Sequence, residues 1–293
     1  MNVYEETQLI LHKYKIQANK SLGQNFLVDD NVIDEIIHSS NIDKQDLIIE
    51  IGPGLGVLTN RLLQEANNVI AVELDKRMVN ILQDRFILNI NDQAESKLEI
   101  INEDILKINL NEIIAEKRKQ TEIKNVKIVA NLPYYISTPI IMKLLENRLD
   151  IDEIIVMVQK EVAERLTAKT GTRLAGAITY AVEYYSDATS IIKVPKESFV
   201  PSPKVESEVI KLKVRKGKKI QVKDEKLLFN IISKSFMQRR KTLSNVLTNN
   251  NIMHSKEDVK NMWKELEIDE NVRGESLTLE QFGEIADYIS EKK

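Results

Sequence analysis

No cysteine occurs among the 293 residues. Disulfides, zinc–thiolate sites, iron–sulfur clusters and thiol nucleophiles are therefore excluded. Histidine is nearly as scarce: His12, His38 and His254 stand far apart without ligand spacing, so no metal site is expected. No apolar run approaches the roughly 18 residues that a membrane helix needs, and no membrane association is expected. The acidic start lacks the apolar core of a signal peptide, which predicts a cytoplasmic protein. What remains is a soluble globular composition, 42% hydrophobic and 30% charged. That is too apolar for disorder, and the length suits two domains or one large one.

The net charge of −3 is unevenly spread. Residues 196–241 carry a local balance of +9, and residues 242–293 a balance of −5. The densest stretch, residues 211–223, holds seven basic side chains and no acid. A solvated edge explains such a run, and so does a polyanion partner. Charge alone does not choose between RNA, DNA and anionic lipid.

Short Val- and Ile-rich runs at 47–51, 69–72, 98–101, 126–130 and 154–158 have the character of buried parallel strands. Helical spacing of apolar residues fills 57–66, 76–88 and 138–147 between them. This alternation predicts βαβ units and a doubly wound α/β sheet. After residue 187 the pattern changes. Residues 190–194 and 207–214 alternate in polarity and predict an antiparallel pair at the sheet edge, joined through the turn-prone Phe199-Val200-Pro201-Ser202-Pro203. Gly217, flanked by lysines, reads as a linker. Beyond it, 225–237, 240–248, 256–266 and 278–290 are helical.

The first strong strand runs into Glu50-Ile51-Gly52-Pro53-Gly54-Leu55-Gly56. Glycines at a strand-to-helix turn permit tight backbone angles and close approach of a ligand. Val57 stands where the nicotinamide fingerprint needs its third glycine, and no Gly-Lys-Ser/Thr follows, so a phosphate cradle is disfavoured. Glu73 lies 21 residues after Gly52, at the tip of the next strand, where a carboxylate can accept both hydroxyl hydrogens of a ribose. The third strand leads into Asn102-Glu103-Asp104, where Asp104 can accept from an adenine amino group. Three such features on successive strands describe a site for an adenosine-bearing cofactor without a pyrophosphate, and S-adenosylmethionine fits.

The fourth strand ends in Asn131-Leu132-Pro133-Tyr134. An adenine amino nitrogen is a poor nucleophile because its lone pair is delocalised into the ring. The Asn131 carboxamide oxygen, together with the Leu132 or Pro133 carbonyl, can accept its two hydrogens and draw it toward a tetrahedral shape. Pro133 fixes the backbone for that task, and Tyr134 offers a face on which the base can stack.

These residues resemble the ribosomal RNA adenine N6-dimethyltransferase family, most closely its bacterial small-subunit branch. The opening motif Lys20-Ser21-Leu22-Gly23-Gln24-Asn25-Phe26-Leu27 is similar to the family's, with Asn25 and Leu27 at cofactor positions. The glycine loop (Gly52, Gly54, Gly56), Glu73, Asp104 and Asn131-Leu132-Pro133-Tyr134 match its cofactor and target-base motifs, Asn131 serving both. Gln159-Lys160-Glu161, Phe199-x-Pro201-x-Pro203-x-Val205 and Gln238-Arg239-Arg240-Lys241-Thr242-Leu243 also recur in the family. The resemblance implies a Rossmann-like S-adenosylmethionine-dependent methyltransferase domain over residues 1–216 and a small all-helical C-terminal domain over 217–293. It implies transfer of four methyl groups to two adjacent adenosines in the 3′-terminal hairpin of small-subunit (16S) ribosomal RNA. A monomer is expected to act in the cytoplasm on an immature 30S particle during ribosome biogenesis, gripping phosphates with Arg239, Arg240 and Lys241. Tyr135 departs from the asparagine of many members, which alters the base pocket.

Two alternatives remain open on the sequence. One is the large-subunit methylase of the macrolide-resistance type, although Leu132, the length and the acidic balance favour the small-subunit branch. The other is a non-catalytic RNA-binding assembly factor, which loss of Glu73 or of the Asn-Leu-Pro-Tyr motif would have favoured.

Overall fold

Strands covered on both faces need apolar residues at nearly every position, because successive side chains point to opposite faces. The computed structural model describes residues 1–19, 22–88, 97–147 and 149–292, and it forms strands from all five of the Val/Ile runs. After a two-residue β1 (Phe26–Leu27) come β2 (Leu47–Ile51), β3 (Asn68–Glu73), β4 (Leu98–Asn102), β5 (Val126–Asn131) and β6 (Glu153–Gln159). All five residues of β2 are buried, as are nearly all of β3, β5 and β6, whereas the outer strand β4 is half open.

The chain folds as two compact units, Met1–Ala163 with Thr189–Val214, and Glu164–Ala188 with Arg215–Lys293. In the first, β7 (Ser186–Val194) and β9 (Ser207–Val214) extend the sheet to seven strands in the order β4-β3-β2-β5-β6-β9-β7. The strands from β4 through β6 run parallel, and β9 pairs antiparallel to β6 with Ser207 opposite Gln159. The connector after β7 holds a further short strand, β8 (Phe199–Val200), which pairs with β1. Around the sheet lie α1 (Val3–Lys13), α2 (Asp30–Ser40), α3 (Val57–Glu65), α4 (Lys76–Phe86), α5 (Leu110–Gln120) and α6 (Ser137–Glu146). Helix α2 packs on β5 and β6, and α3 and α4 on β3.

In the second unit are α8 (Ala177–Tyr185), α9 (Glu225–Met237), α10 (Leu243–Asn249), α11 (Lys256–Glu265) and α12 (Leu279–Glu291). The chain enters this unit within α7 (Lys160–Leu166). The sequence boundary at 216/217 lies close to the return crossing after Val214, but it leaves residues 164–188 with the sheet. The contacts group them with the C-terminal helices instead. The cause is a tyrosine stripe on α8. Tyr180 is fully buried, stands edge-on to Phe282 at 5.2 Å and donates to the Leu277 carbonyl at 2.6 Å. Tyr184 packs edge-on to Phe229 at 5.2 Å.

Among the described residues, no helix is long and apolar enough to cross a membrane, and no cluster of His, Asp and Glu is placed to hold a metal.

Two buried polar clusters mark opposite ends of β2. At its amino end Asp46 and Lys127 pair at 2.7 Å, both almost without solvent access. Lys127 also donates to the Ser40 carbonyl at 3.0 Å and the Asn41 carbonyl at 2.6 Å, so two of its hydrogens cap the end of α2 and the third meets Asp46. Asp46 takes further hydrogen bonds from the Asp43 amide and the Asn125 carboxamide. At the other end Glu50 is 1% exposed and accepts from Thr59 Oγ1 at 2.6 Å. Burial pushes its carboxyl up to about 8, against the Thr59 hydrogen bond, with Glu73 adding repulsion.

Removing one partner of a buried pair leaves a charge uncompensated. Lys127→Met should therefore cost about 3–5 kcal/mol of stability in urea unfolding, and a loss below 1 kcal/mol would contradict that account. For Glu50 the sign is opposite to that of an ordinary carboxylate. Between pH 4.5 and about 8 the folded chain holds a proton that the unfolded chain releases. Stability therefore falls as pH rises through this window. Glu50→Gln should remove that component, so its stability advantage over the native chain widens from pH 5 to pH 8. Unfolding midpoints that stay parallel across those pH values would refute it.

Candidate cofactor and active site

Gly52, Gly54 and Gly56 all adopt positive φ, at +68°, +57° and +78°. A side chain at any of the three would strain the turn between β2 and α3. Gly52 and Gly54 line a cavity beyond the carboxyl ends of the strands, with about 1100 Å³ of open space including its mouth. Gly56 does not line it. A Cβ there would lie 2.6 Å from both Leu82 Cδ2 and Phe86 Cε2 on α4. The spacing of the loop places Gly56 among the cofactor residues. The structure gives it a different task, the start of α3 and its close approach to α4. Behind the loop, Arg85 donates to the Leu55 carbonyl and pairs with Glu6 of α1.

Glu73 ends β3 and is 7% exposed. Its Oε1 accepts the Asp75 amide at 2.7 Å and its Oε2 the Gly54 amide at 3.2 Å. Each oxygen keeps a lone pair for a further donor. Burial nonetheless raises its carboxyl above the usual range, opposed by those two amides. Asn102 at the end of β4 donates to the Glu73 carbonyl at 2.8 Å, which ties adjacent strand ends together. Asp104 follows on the cavity wall, its Oδ1 taken by the Leu106 amide at 2.9 Å. Lys143 of α6 holds this loop from outside through the Ile105 and Ile108 carbonyls, at 2.9 and 2.8 Å.

Asn131 ends β5 on the opposite wall. Its carboxamide nitrogen donates to the Asn25 carbonyl at 3.3 Å, which leaves the carboxamide oxygen as an acceptor without a donor among the described residues. Leu132, Pro133 and Tyr134 also line the cavity. The Pro133 carbonyl accepts the Ile136 amide at 3.2 Å within a 3-10 turn, Tyr134–Ile136. Among the described residues the Leu132 carbonyl has no backbone donor. The two carbonyls left open by sequence are thus distinguished, and Leu132's is the less engaged.

The opening motif forms a strap over this site. Lys20 and Ser21 lie outside the described residues, but Asn25 and Leu27 both face the cavity. Gln24 is anchored to Asp75 at 3.0 Å, and Asp75 is also gripped by Arg77. Tyr135 is 54% exposed, with its ring against Gly23, where a Cβ would come within 3.2 Å of Tyr135 Cδ1. Gln24 and Asn102 fall inside motifs legible in the sequence, but their anchoring bonds to Asp75 and the Glu73 carbonyl are not, and Lys143, a single polar residue on a helix, carries no periodic signal.

The cavity's charge is one-sided. Glu73, Glu103 and Asp104 line it beside Glu50, which keeps its proton up to about pH 8, and among the described residues no Lys, Arg or His does. A pyrophosphate would find no counter-charge here, whereas a cation would find several. That fits S-adenosylmethionine, which carries a sulfonium and an ammonium against a single carboxylate.

Arg239, Arg240 and Lys241 lie in the second unit, after α9. Arg239 pairs with Glu275 at 3.0 Å and donates to the Arg173 and Ala175 carbonyls. Arg240 and Lys241 are exposed, without an ion pair among the described residues. The basic run at 211–223 is less open than its composition predicts. Lys211 pairs with Glu153, Arg215 with Asp187, Lys218 with Glu225, Lys219 with Glu183, and Lys223 with Glu291. Four of these five acids lie outside the 196–241 window, so a count along the sequence could not register the neutralisation.

Comparison with known proteins agrees with this geometry. Residues 15–291 match the family described as ribosomal RNA adenine dimethylase. A ribosomal RNA small subunit methyltransferase A from Lachnoclostridium phytofermentans is 45% identical over 289 residues, covering 98% of this chain and 97% of that protein. One from Alkaliphilus oremlandii is 42% identical over 288 residues, with the same coverage of both. Among solved structures, a dimethyladenosine transferase from Plasmodium falciparum superposes with a TM-score of 0.71 at 25% identity, covering 89% of this chain and 95% of that one. The 23S rRNA methyltransferase ErmE shares the fold, with a TM-score of 0.66 at 20% identity, covering 91% of this chain and 100% of that one. With the model matching nearly the whole length and the relatives above 40% identity, the chain belongs to the ribosomal RNA adenine dimethylase family.

Proposed function

We propose that this chain dimethylates the N6 amino groups of two adjacent adenosines in the 3′-terminal hairpin of small-subunit ribosomal RNA. The observation that carries the reading is one cavity with two facing walls. An acidic, glycine-floored side suits S-adenosylmethionine, and the Asn131–Tyr134 side suits an adenine. The relatives named for the small subunit favour that RNA over the large-subunit alternative. The geometry is that of an enzyme rather than of a binding factor alone, because both walls keep their polar groups.

Glu73, Gly52, Gly54, Asn25, Leu27 and Asp104 would hold the cofactor, which supplies an electrophilic methyl group. Glu73 would take the ribose hydroxyls on the lone pairs that its two amides leave free. Asn131 would accept one amino hydrogen of the adenine on its carboxamide oxygen, and the Leu132 carbonyl the other. Pulling both hydrogens out of the ring plane localises the nitrogen lone pair. Tyr134 would fix the base plane by stacking. No strong base is needed, because the alkylated nitrogen is acidic and releases its proton to water. Positioning of this kind can supply on the order of 7–11 kcal/mol.

The substrate would be an immature small subunit in the cytoplasm, met by a monomer during ribosome biogenesis. An overall acidic chain repels most phosphate, which suits docking in one orientation better than general RNA binding. Arg240 and Lys241 would make the phosphate contacts, and Arg239 would hold the loop that presents them.

Glu73→Ala should weaken S-adenosylmethionine binding about ten- to a hundredfold in calorimetry on folded protein. Asn131→Ala and Tyr134→Ala should instead cut turnover far more than RNA affinity. Unchanged cofactor affinity in the first, or equal losses of turnover and RNA affinity in the others, would overturn the assignment. Replacing Arg240 and Lys241 together with alanine should weaken docking on immature subunits and flatten its salt dependence by about two phosphate contacts. Cofactor affinity should stay unchanged, and a salt slope equal to that of the native chain would remove these residues from the interface.

A further inference from the structure

Ser207 opens β9 with no solvent exposure, opposite Gln159 of β6. A serine buried in a strand needs a partner for its hydroxyl. This one meets the Tyr134 hydroxyl at 2.5 Å, across 73 residues of sequence. Tyr134 is half-buried and faces the cavity, whereas Ser207 does not line it. The tyrosine is therefore held at two points. Its backbone belongs to the 3-10 turn after β5, where its carbonyl accepts from Ser137 Oγ at 3.3 Å. Its phenol tip is tied to a different strand of the sheet.

We propose that Ser207 is a positioning residue for the methyl transfer, holding the Tyr134 ring as a fixed wall against which the target adenine is aligned. The inference rests on the reading of Tyr134 as the stacking face. A tyrosine fixed only at its backbone turns about χ1 and χ2, and each rotamer presents a different plane to the base. The bond at the far end of the ring removes that freedom before RNA arrives, so the cost of ordering is met in folding rather than in the transition state. The pairing is between neutral hydroxyls. Burial raises the phenol's pKa, and the Ser207 hydrogen bond works against that rise. The anchor therefore persists across the neutral range.

The test is a double-mutant cycle on the full chain, with Ser207→Ala, Tyr134→Phe and the combination. It is read by single-turnover methylation of immature small subunits and by calorimetry with S-adenosylmethionine. Each single variant should lower the methylation rate about three- to tenfold, the worth of one hydrogen bond, and leave cofactor affinity unchanged. The double variant should be no slower than either single one, because both remove the same bond. Losses that multiply in the double variant would show that Ser207 acts independently of the tyrosine and would overturn the proposal. So would a Ser207→Ala rate equal to that of the native chain. If Ser207→Ala does not fold, Tyr134→Phe carries the test by itself, since it leaves the serine in place. A native rate there overturns the anchor. Tyr134→Ala separates the two readings: full activity in that variant refutes the stacking role itself. Loss of activity there, with Ser207→Ala at native rate, refutes only the positioning.

Discussion

The parallel pairing of β2 with β3 on one side and β5 on the other is the constraint on which the site depends. From β2 the chain builds outward through β3 to β4, then returns to lay β5 against the opposite edge of β2 and continues to β6. Successive connections therefore leave β2 and β5 in opposite directions, and a crevice must open between them at the carboxyl ends. The glycine loop leaves one lip of that crevice and Asn131 the other. Because both lips continue the ladder of one sheet, their separation is set by strand spacing and not by loop conformation. At the amino ends of the same strands, the buried Asp46–Lys127 pair closes the sheet against α2. Rigidity is placed at one end of the sheet and ligand access at the other.

Acids collected at the open end carry a physical cost. Burial raises both the Glu50 and the Glu73 carboxyls, and Glu50 escapes repulsion from Glu73 by keeping its proton up to about pH 8. A fold selected for stability alone would place apolar residues there. A cavity lined with these acids is instead poised for a cation, whose arrival offsets the cost of burying them. The second unit shows the opposite arrangement. Lysines at 218, 219 and 223 find acids on α8, α9 and α12, so that a strongly basic stretch becomes a neutralised surface. The same residue types read as function in one place and as cohesion in the other, and only partners far along the chain distinguish them.

The sheet was legible because a buried parallel strand has to be apolar at consecutive positions, and residues 47–51 or 154–158 admit few other structures. Glu73 and Asn131 were legible for a related reason, since a polar residue at the end of such a run can only stand at a strand tip. Other features left no such trace. β1 and β8 are two residues each, too short for a period, and they pair across the whole first unit. Gly56 has the spacing of a cofactor glycine but meets Leu82 and Phe86, and sequence spacing does not say which way an absent Cβ would point. The grouping of residues 164–188 with the C-terminal helices rests on Tyr180 and Tyr184, whose partners lie some 45 to 100 residues further on.

The strap that precedes β1 joins the two walls. Its Gln24 is held by Asp75, two residues beyond Glu73 on the cofactor side. Its Asn25 carbonyl receives the Asn131 carboxamide on the base side, and Gly23 supports the Tyr135 ring. Three consecutive residues thus touch both halves of the reaction. The contact with Asn131 has a chemical consequence, because a carboxamide whose nitrogen is engaged has its oxygen turned the other way. An unheld asparagine would present donor and acceptor interchangeably, and a donor aimed at an amino group would repel it. By fixing which end of Asn131 faces the cavity, the strap makes the base wall an acceptor surface, the polarity that an adenine amino group requires.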